Sequence, residues 1–335
     1  LRAKLSFDNG DFAATKQQAD ELLASLQKGG QMDATLRTEV VSTVQLLKAQ
    51  ALLALGSDDE GGALLGKLRA DYRGTKAAVY SYIVQAARQA ERGELAKAQQ
   101  TLTDMVDKNG ASEFAPFALY EAAIYAERQG LDRQLQEAYK LLDRLIKNYP
   151  GDELVFYALL KQGDLMRKLN DFATARQNYE YLVNNYAGHP DELLAELALA
   201  DSLFAQGANS VANYESASAI FERLRDLPSA PVDLRVEAGF KWGYALAKRA
   251  QAPKAQAVLW SVVHDFLLDA AQAARLGAKG RYWVSRALLE LGQIHEDAGR
   301  LDEAQRAYQL IVDNKLSGVA QAKAKLARFR PAGAF

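Results

Sequence analysis

The chain has 335 residues, 49% of them hydrophobic and 25% charged, with a formal net charge of −1 and no cysteine. Disulfides, thiolate metal sites and a cysteine nucleophile are thereby excluded, and no whole-chain basic field exists to attract nucleic acid or an anionic membrane. No stretch approaches the ~18 consecutive apolar residues of a membrane-spanning helix, while the scarcity of proline and the abundance of Ala, Leu, Gln, Glu and Lys favour helix.

In chain order, LRAKLSFDNG reads as the end of a helix already under way, and the chain starts at Leu1 rather than Met. The sequence is therefore read as an excerpt of a longer protein. A helix is expected over 11–27, followed by turn glycines at Gly29 and Gly30. Helical hairpins are expected near 33–71, 75–108, 112–149, 152–186, 190–226, 231–268 and 271–315. A single capping helix is expected over 317–329. Lys323, Lys325 and Arg328, with Arg330 beyond, would give it a polar outer face. No linker or low-complexity tract divides the chain, so one curved solenoid domain over 1–335 is expected.

Internal repetition underlies these boundaries. DFATARQNYEYLV (171–183) aligns with DFAATKQQADELL (11–23), and related forms recur at 93–106, 135–146, 214–224 and 299–312. One turn position is filled by Gly10, Gly56, Gly93, Gly130, Asn170, Gly207, Ala250 and Gly299, with four spacings at 37 residues or close to it. Gly and Asn tolerate the left-handed backbone that ends a helix. A small residue stands seven positions before most of these turns: Ala49, Ala86, Ala123, Gly163, Ala200, Gly243 and Gly292. After each turn a small residue precedes a large one by four, as in Gly61 and Leu65, Ala98 and Leu102, Ala175 and Tyr179, or Ala304 and Tyr308. That spacing puts both on one helix face. By this ruler Tyr179 is a core residue, Tyr186 matches Tyr72 and Tyr149 at helix ends, and only Tyr181 has no repeat-wide role.

This pattern resembles the tetratricopeptide repeat family over nearly the whole chain, most sharply in 159–183 and 288–312. The resemblance implies an all-α, right-handed superhelical solenoid of antiparallel helical hairpins, with about seven repeats, a leading half repeat and the C-terminal cap. The family unit is ~34 residues; inserts at 131–134, 208–213 and around 269–281 lengthen it here. The Tyr-x-Gly helix endings at 70–75, 147–153 and 184–192 are similar to variants in bacterial envelope members, such as TolA-binding and outer-membrane assembly lipoproteins. They lean the expected location toward the periplasm or cell envelope.

Chemistry-bearing motifs are absent. His189, His264 and His295 are far apart and lack metal-ligand spacing. His189 reads as an exposed loop residue. No nucleophile elbow, phosphate loop, zincin or dinucleotide fingerprint occurs, and Gly61 and Gly62 read as turn and packing glycines. No catalytic, cofactor-binding or metal-binding residue is assigned, and no cofactor is expected. The five cations between Lys315 and Arg330 read as a solvated capping face rather than a phosphate or lipid site.

A partner site is expected on the first helix of each unit, on positions 13, 10, 6 and 2–3 residues before the turn, which share one face. The candidates are Tyr80, Phe117, Tyr120, Arg128, Tyr157, Asp164, Lys168, Asp201, Tyr244 and Lys248. Gln50, Ile83, Ala87, Glu91, Glu237, Phe240 and Arg286 occupy the same register. Aromatic anchors flanked by charges suit an extended peptide or a partner helix; rings that merely fill the seam between hairpins would be fully buried. The expected function is a non-enzymatic adaptor binding a protein or peptide on its concave face. The alternatives are a structural subunit of a larger envelope complex and an α-solenoid enzyme, such as a peptidoglycan-cleaving one. The partner's identity and the oligomeric state are not encoded in these patterns.

Overall fold

Between its turns the chain repeats apolar residues every three or four positions, which lines one side of a helix. Leu135, Ala138, Leu141, Leu142 and Leu145 are one such set, all buried. The computed structural model describes residues 1–27 and 32–329; Gly29, Gly30 and Arg330 lie outside them. The described residues form helices joined by turns, with no strand among them, and they divide into two compact units, 1–169 and 170–335.

The first unit holds α1 (Arg2–Asp8), α2 (Phe12–Gln27), α3 (Ala34–Ala54), α4 (Asp58–Asp71), α5 (Lys76–Glu91), α6 (Leu95–Asn109), α7 (Ala115–Arg128), α8 (Asp132–Asn148) and α9 (Leu154–Lys168). The second holds α10 (Phe172–Asn185), α11 (Glu192–Ala205), α12 (Val211–Asp226), α13 (Val232–Lys248), α14 (Ala252–Val263), α15 (Ala270–Ala273), α16 (Ala278–Asp297), α17 (Leu301–Asp313) and α18 (Val319–Ala327). Within each unit the helices pack mainly on their chain neighbours: α3 on α4, α5 on α6 and α7 on α8 in the first, α11 on α12, α13 on α14 and α16 on α17 in the second. This is the helical-hairpin solenoid that the repeat implies. The leading half unit is itself a small hairpin, α1 against α2.

The repeat positions form the core. Leu65, Leu102, Leu142, Tyr179, Phe221, Leu259 and Tyr308 are all essentially inaccessible, as are the small residues Ala98, Ala138, Ala175, Ala217, Ala255 and Ala304 four positions earlier. Gly292 is small for a visible reason: a Cβ there would lie 2.3 Å from the Tyr308 ring. A Cβ on Gly243 would lie 2.6 Å from Leu259. The recurrent Asp of the repeat caps the helix after the turn. Asp11 accepts from the Ala14 amide at 3.0 Å and Asp171 from that of Thr174 at 3.1 Å.

Seven of the eight aligned turn residues adopt positive φ, including Asn170 at 61° and Ala250 at 56°. Gly207 does not; it begins a short 3₁₀ turn, Gly207–Asn209. Its glycine is explained by the Tyr214 ring, which would stand 2.4 Å from a Cβ. The expected hairpins at 231–268 and 271–315 also differ in detail. Helix α14 ends in a π-helical turn, His264–Leu268, α15 is a separate turn of helix, and α16 begins only at Ala278.

The terminal helix α18 falls inside the expected cap. Lys323 and Arg328 are exposed. Lys325 instead turns inward, donating to Gln293 at 2.7 Å and pairing with Glu296 at 3.1 Å. Glu296 also accepts from the Tyr308 hydroxyl at 2.6 Å, and Phe329 stacks over the Tyr308 ring. His189 is half-buried rather than exposed, its Nδ1 accepting from the Asp191 amide at 3.1 Å.

Candidate functional site

In the first unit the expected positions are carried by α3, α5, α7 and α9. Gln50 from α3 and Tyr80, Ile83, Ala87 and Glu91 from α5 line one cleft of about 260 Å3. These are five residues that the repeat register places on one face. Tyr80 is half-buried and meets the Phe114 ring edge-on at 5.3 Å. Phe117 is 42% exposed. Tyr157 is half-buried and packs edge-on against the buried Phe156 at 5.3 Å. Arg128 is exposed and forms no ion pair among the described residues.

Charged groups tie α7 to α9. Lys168 and Lys161 approach the largely buried Glu127 at 2.6 and 3.3 Å. Burial pushes the Glu127 carboxyl up, but the two ammonium groups outweigh it and hold the pKa below its ordinary value. Tyr120 is half-buried, and burial with Glu121, Glu127 and Asp164 nearby raises its phenol. Asp164 lies 3.9 Å from Arg167. Lys168 is thus an ordered side chain rather than a free one.

In the second unit α11, α13 and α16 carry the corresponding face. Asp201 pairs with Lys241 at 2.7 Å, Lys241 with Glu237 at 2.7 Å, and Glu237 with Lys279 at 2.6 Å. This chain of charges crosses all three helices. Burial raises the Glu237 carboxyl, but Lys241 and Lys279 lower it further, so the group is held below the usual carboxylate range. Beside the charges runs a series of rings. Phe204 meets Tyr244 at 5.8 Å, Tyr244 stacks on Phe240 at 5.8 Å, Phe240 stacks on Trp283 at 5.2 Å, and Trp283 meets Tyr282 at 4.9 Å. Lys248 lies 5.0 Å from the Tyr244 ring centre, Lys241 5.3 Å from Trp283 and Arg286 5.7 Å from Phe240, within cation–π range. Burial raises the Glu290 carboxyl, with Lys248 and Arg286 pulling the other way.

Trp283 and Tyr282 are members of this run that the repeat register does not reach, whereas Phe204 lies on it, three residues before Gly207, but is not among the named candidates. Trp283 lies one helical step before Arg286, because α16 extends an extra turn at its start. Phe204 lies one step beyond Asp201. Trp283 and Tyr282 could have been found by continuing the three- or four-residue spacing past the start of the common unit, and Phe204 by reading the register's last position in its own repeat.

His295 is buried, and Arg300 donates to its Nδ1 at 3.0 Å. Among the described residues no group of three or more His, Cys, Asp or Glu side chains is placed to hold a metal ion, and no helix is long and apolar enough to cross a membrane.

Helical hairpins with small residues at the crossing and a large buried residue after the turn define a tetratricopeptide-type solenoid. Residues 117–152, 157–189 and 286–314 match the tetratricopeptide repeat family. The chain's structure is similar to the C-terminal part of a tetratricopeptide repeat-containing protein from Cytophaga hutchinsonii, at 14% identity and TM-score 0.55, covering 82% of this chain and 98% of that one. It is also similar to a tetratricopeptide repeat protein from Parabacteroides merdae, at 14% identity and TM-score 0.50, covering 85% of this chain and 97% of that one. At such identities the likeness is one of fold. No curated protein matches the chain.

Proposed function

We propose that this protein is a non-enzymatic interaction scaffold that binds an extended peptide or a partner helix on the face built by its first helices. The observation that carries this reading is the run of Phe204, Tyr244, Trp283 and Tyr282 packed about the buried Phe240, with Lys248, Lys241 and Arg286 over or beside the rings. Aromatic side chains supply contact area at low entropic cost, and cations on their faces add directional recognition. The Asp201, Lys241, Glu237 and Lys279 chain is ordered before any partner arrives, so less side-chain freedom is lost on binding. In the first unit Tyr80, Phe117, Tyr120 and Tyr157, with Arg128, Asp164 and Lys168, occupy the same register and take the same role.

The test uses the two residues of that set whose side chains are least committed to the fold. Full-length chain carrying Phe117→Ala or Arg128→Glu should keep the wild-type melting temperature. Each variant should weaken capture of the partner that wild type retains, the aromatic truncation by about 2 kcal/mol. If both retained the same partners with unchanged affinity, the first unit's face would be abandoned as a binding surface.

A further inference from the structure

A second surface, away from the face just described, lies among α4, α5 and α6. It is a cleft of about 800 Å3 whose ionisable lining groups are Arg69, Arg73, Lys108 and Tyr82. No carboxylate lines it, although the chain as a whole carries a net charge of −1. Asp71 and Asp107 are neighbours in sequence, but neither lines the cleft, and Asp107 is paired with Arg144 at 2.8 Å. Arg69, Arg73 and Lys108 form no ion pair among the described residues. Arg69 is partly buried, its guanidinium 4.3 Å from the Tyr82 ring centre, its Nε donating to the Leu65 carbonyl at 3.1 Å and its other arm to Gln85. A guanidinium held this way, with charge and without a carboxylate, is preorganised for an anion.

The glycines give an independent indication. Gly62 and Gly66 lie one turn apart inside α4 and both line the cleft. Neither has a positive φ, and a Cβ on either would meet nothing within 4 Å. Glycine inside a helix costs about 1 kcal/mol against alanine, and nothing in the packing of α4 requires it here, unlike Gly61, whose Cβ would lie 2.7 Å from Leu53. A flat helix wall beside unpaired cations lets another backbone approach closely.

We propose that this cleft binds an acidic peptide segment of a partner protein, its carboxylates meeting Arg69, Arg73 and Lys108 and its backbone lying along Gly62 and Gly66. The cations are spread over α4, the turn after it and α6 rather than gathered around one point, which suits several carboxylates along a chain better than a single phosphate. Nor does the start of α5 offer a free phosphate cradle, since the Thr75 hydroxyl already caps the Ala78 amide at 3.2 Å. Base stacking is disfavoured because the Tyr82 ring is covered by Arg69.

The experiment titrates full-length chain with a labelled poly-glutamate peptide, with inorganic phosphate and a single-stranded oligonucleotide as competitors. Wild type should bind the peptide with an affinity that falls as salt rises. Arg73→Glu with Lys108→Glu should weaken it about tenfold, whereas Lys97→Glu with Lys147→Glu, two exposed sites elsewhere with the same change in net charge, should not. Gly62→Leu with Gly66→Leu should leave the melting temperature undiminished and still abolish binding. The proposal is overturned if the two charge-reversal pairs behave alike, if the leucine variant binds as wild type does, or if phosphate or the oligonucleotide displaces the peptide at lower concentration than unlabelled poly-glutamate.

Discussion

At the scale of single residues, the repeat fixes backbone and volume more tightly than identity. Ala250 occupies a turn where its aligned counterparts are mostly glycine, and it holds φ at 56° with a Cβ attached. The left-handed conformation costs a non-glycine residue roughly 1–2 kcal/mol, partly offset by the smaller entropy of alanine in the unfolded chain. Ala250→Gly is therefore expected to raise stability by about 0.5–1 kcal/mol, read as a higher urea midpoint at unchanged slope. Gly292 presents the opposite case. Gly292→Ala places a methyl against the Tyr308 ring, so the second unit should lose about 1–3 kcal/mol; a neutral effect on the midpoint would mean that α16 and α17 can separate freely.

At the scale of elements, hairpin existence was legible because three signals coincide: a left-handed turn, a small residue seven before it, and a large buried one after it. Each signal has its own cause, so their agreement identifies a unit even where one fails, as at Gly207. Boundaries were legible only where the unit is of standard length. The π-helical end of α14 and the late start of α16 arise from packing around an insert, which local periodicity does not encode. The ring run was half legible for the same reason: Tyr244 and Phe240 fall on the common register, whereas Trp283 lies on the added turn of α16. The charge chain across α11, α13 and α16 makes a pH prediction. Glu237 has a folded pKa below its unfolded value, so its ionised form contributes stability fully present above about pH 4.3 and lost as pH falls through the lower folded value. Glu237→Gln should cost about 3 kcal/mol at neutral pH. That deficit should shrink as the melting temperature is followed from about pH 5 downward; a deficit independent of pH would place its origin in packing rather than charge.

At the scale of the whole molecule, the first helices of both units carry aromatic side chains that the hydrophobic core does not fully cover. Phe117 and Tyr282 are each 42% exposed, while the repeat core residues Tyr179 and Tyr308 are inaccessible. Rings of the same chemistry thus divide between holding hairpins together and facing outward, and only register separates them in the sequence. Tyr181, which has no repeat role, is also outward at 51% exposed, but it stands on a second helix and its ring meets that of Tyr186 edge-on at 6.4 Å rather than the first-helix run. The scaffold reading requires that partners meet the first-helix rings and not the second-helix surface. Site-specific photo-crosslinking of the full-length chain, in cells that make it, tests this most directly. A photoreactive residue at Phe117 or Tyr282 should crosslink the same partner polypeptide, and one at the exposed second-helix sites Lys140 or Tyr181 should not. Crosslinks confined to the second-helix sites would contradict the account.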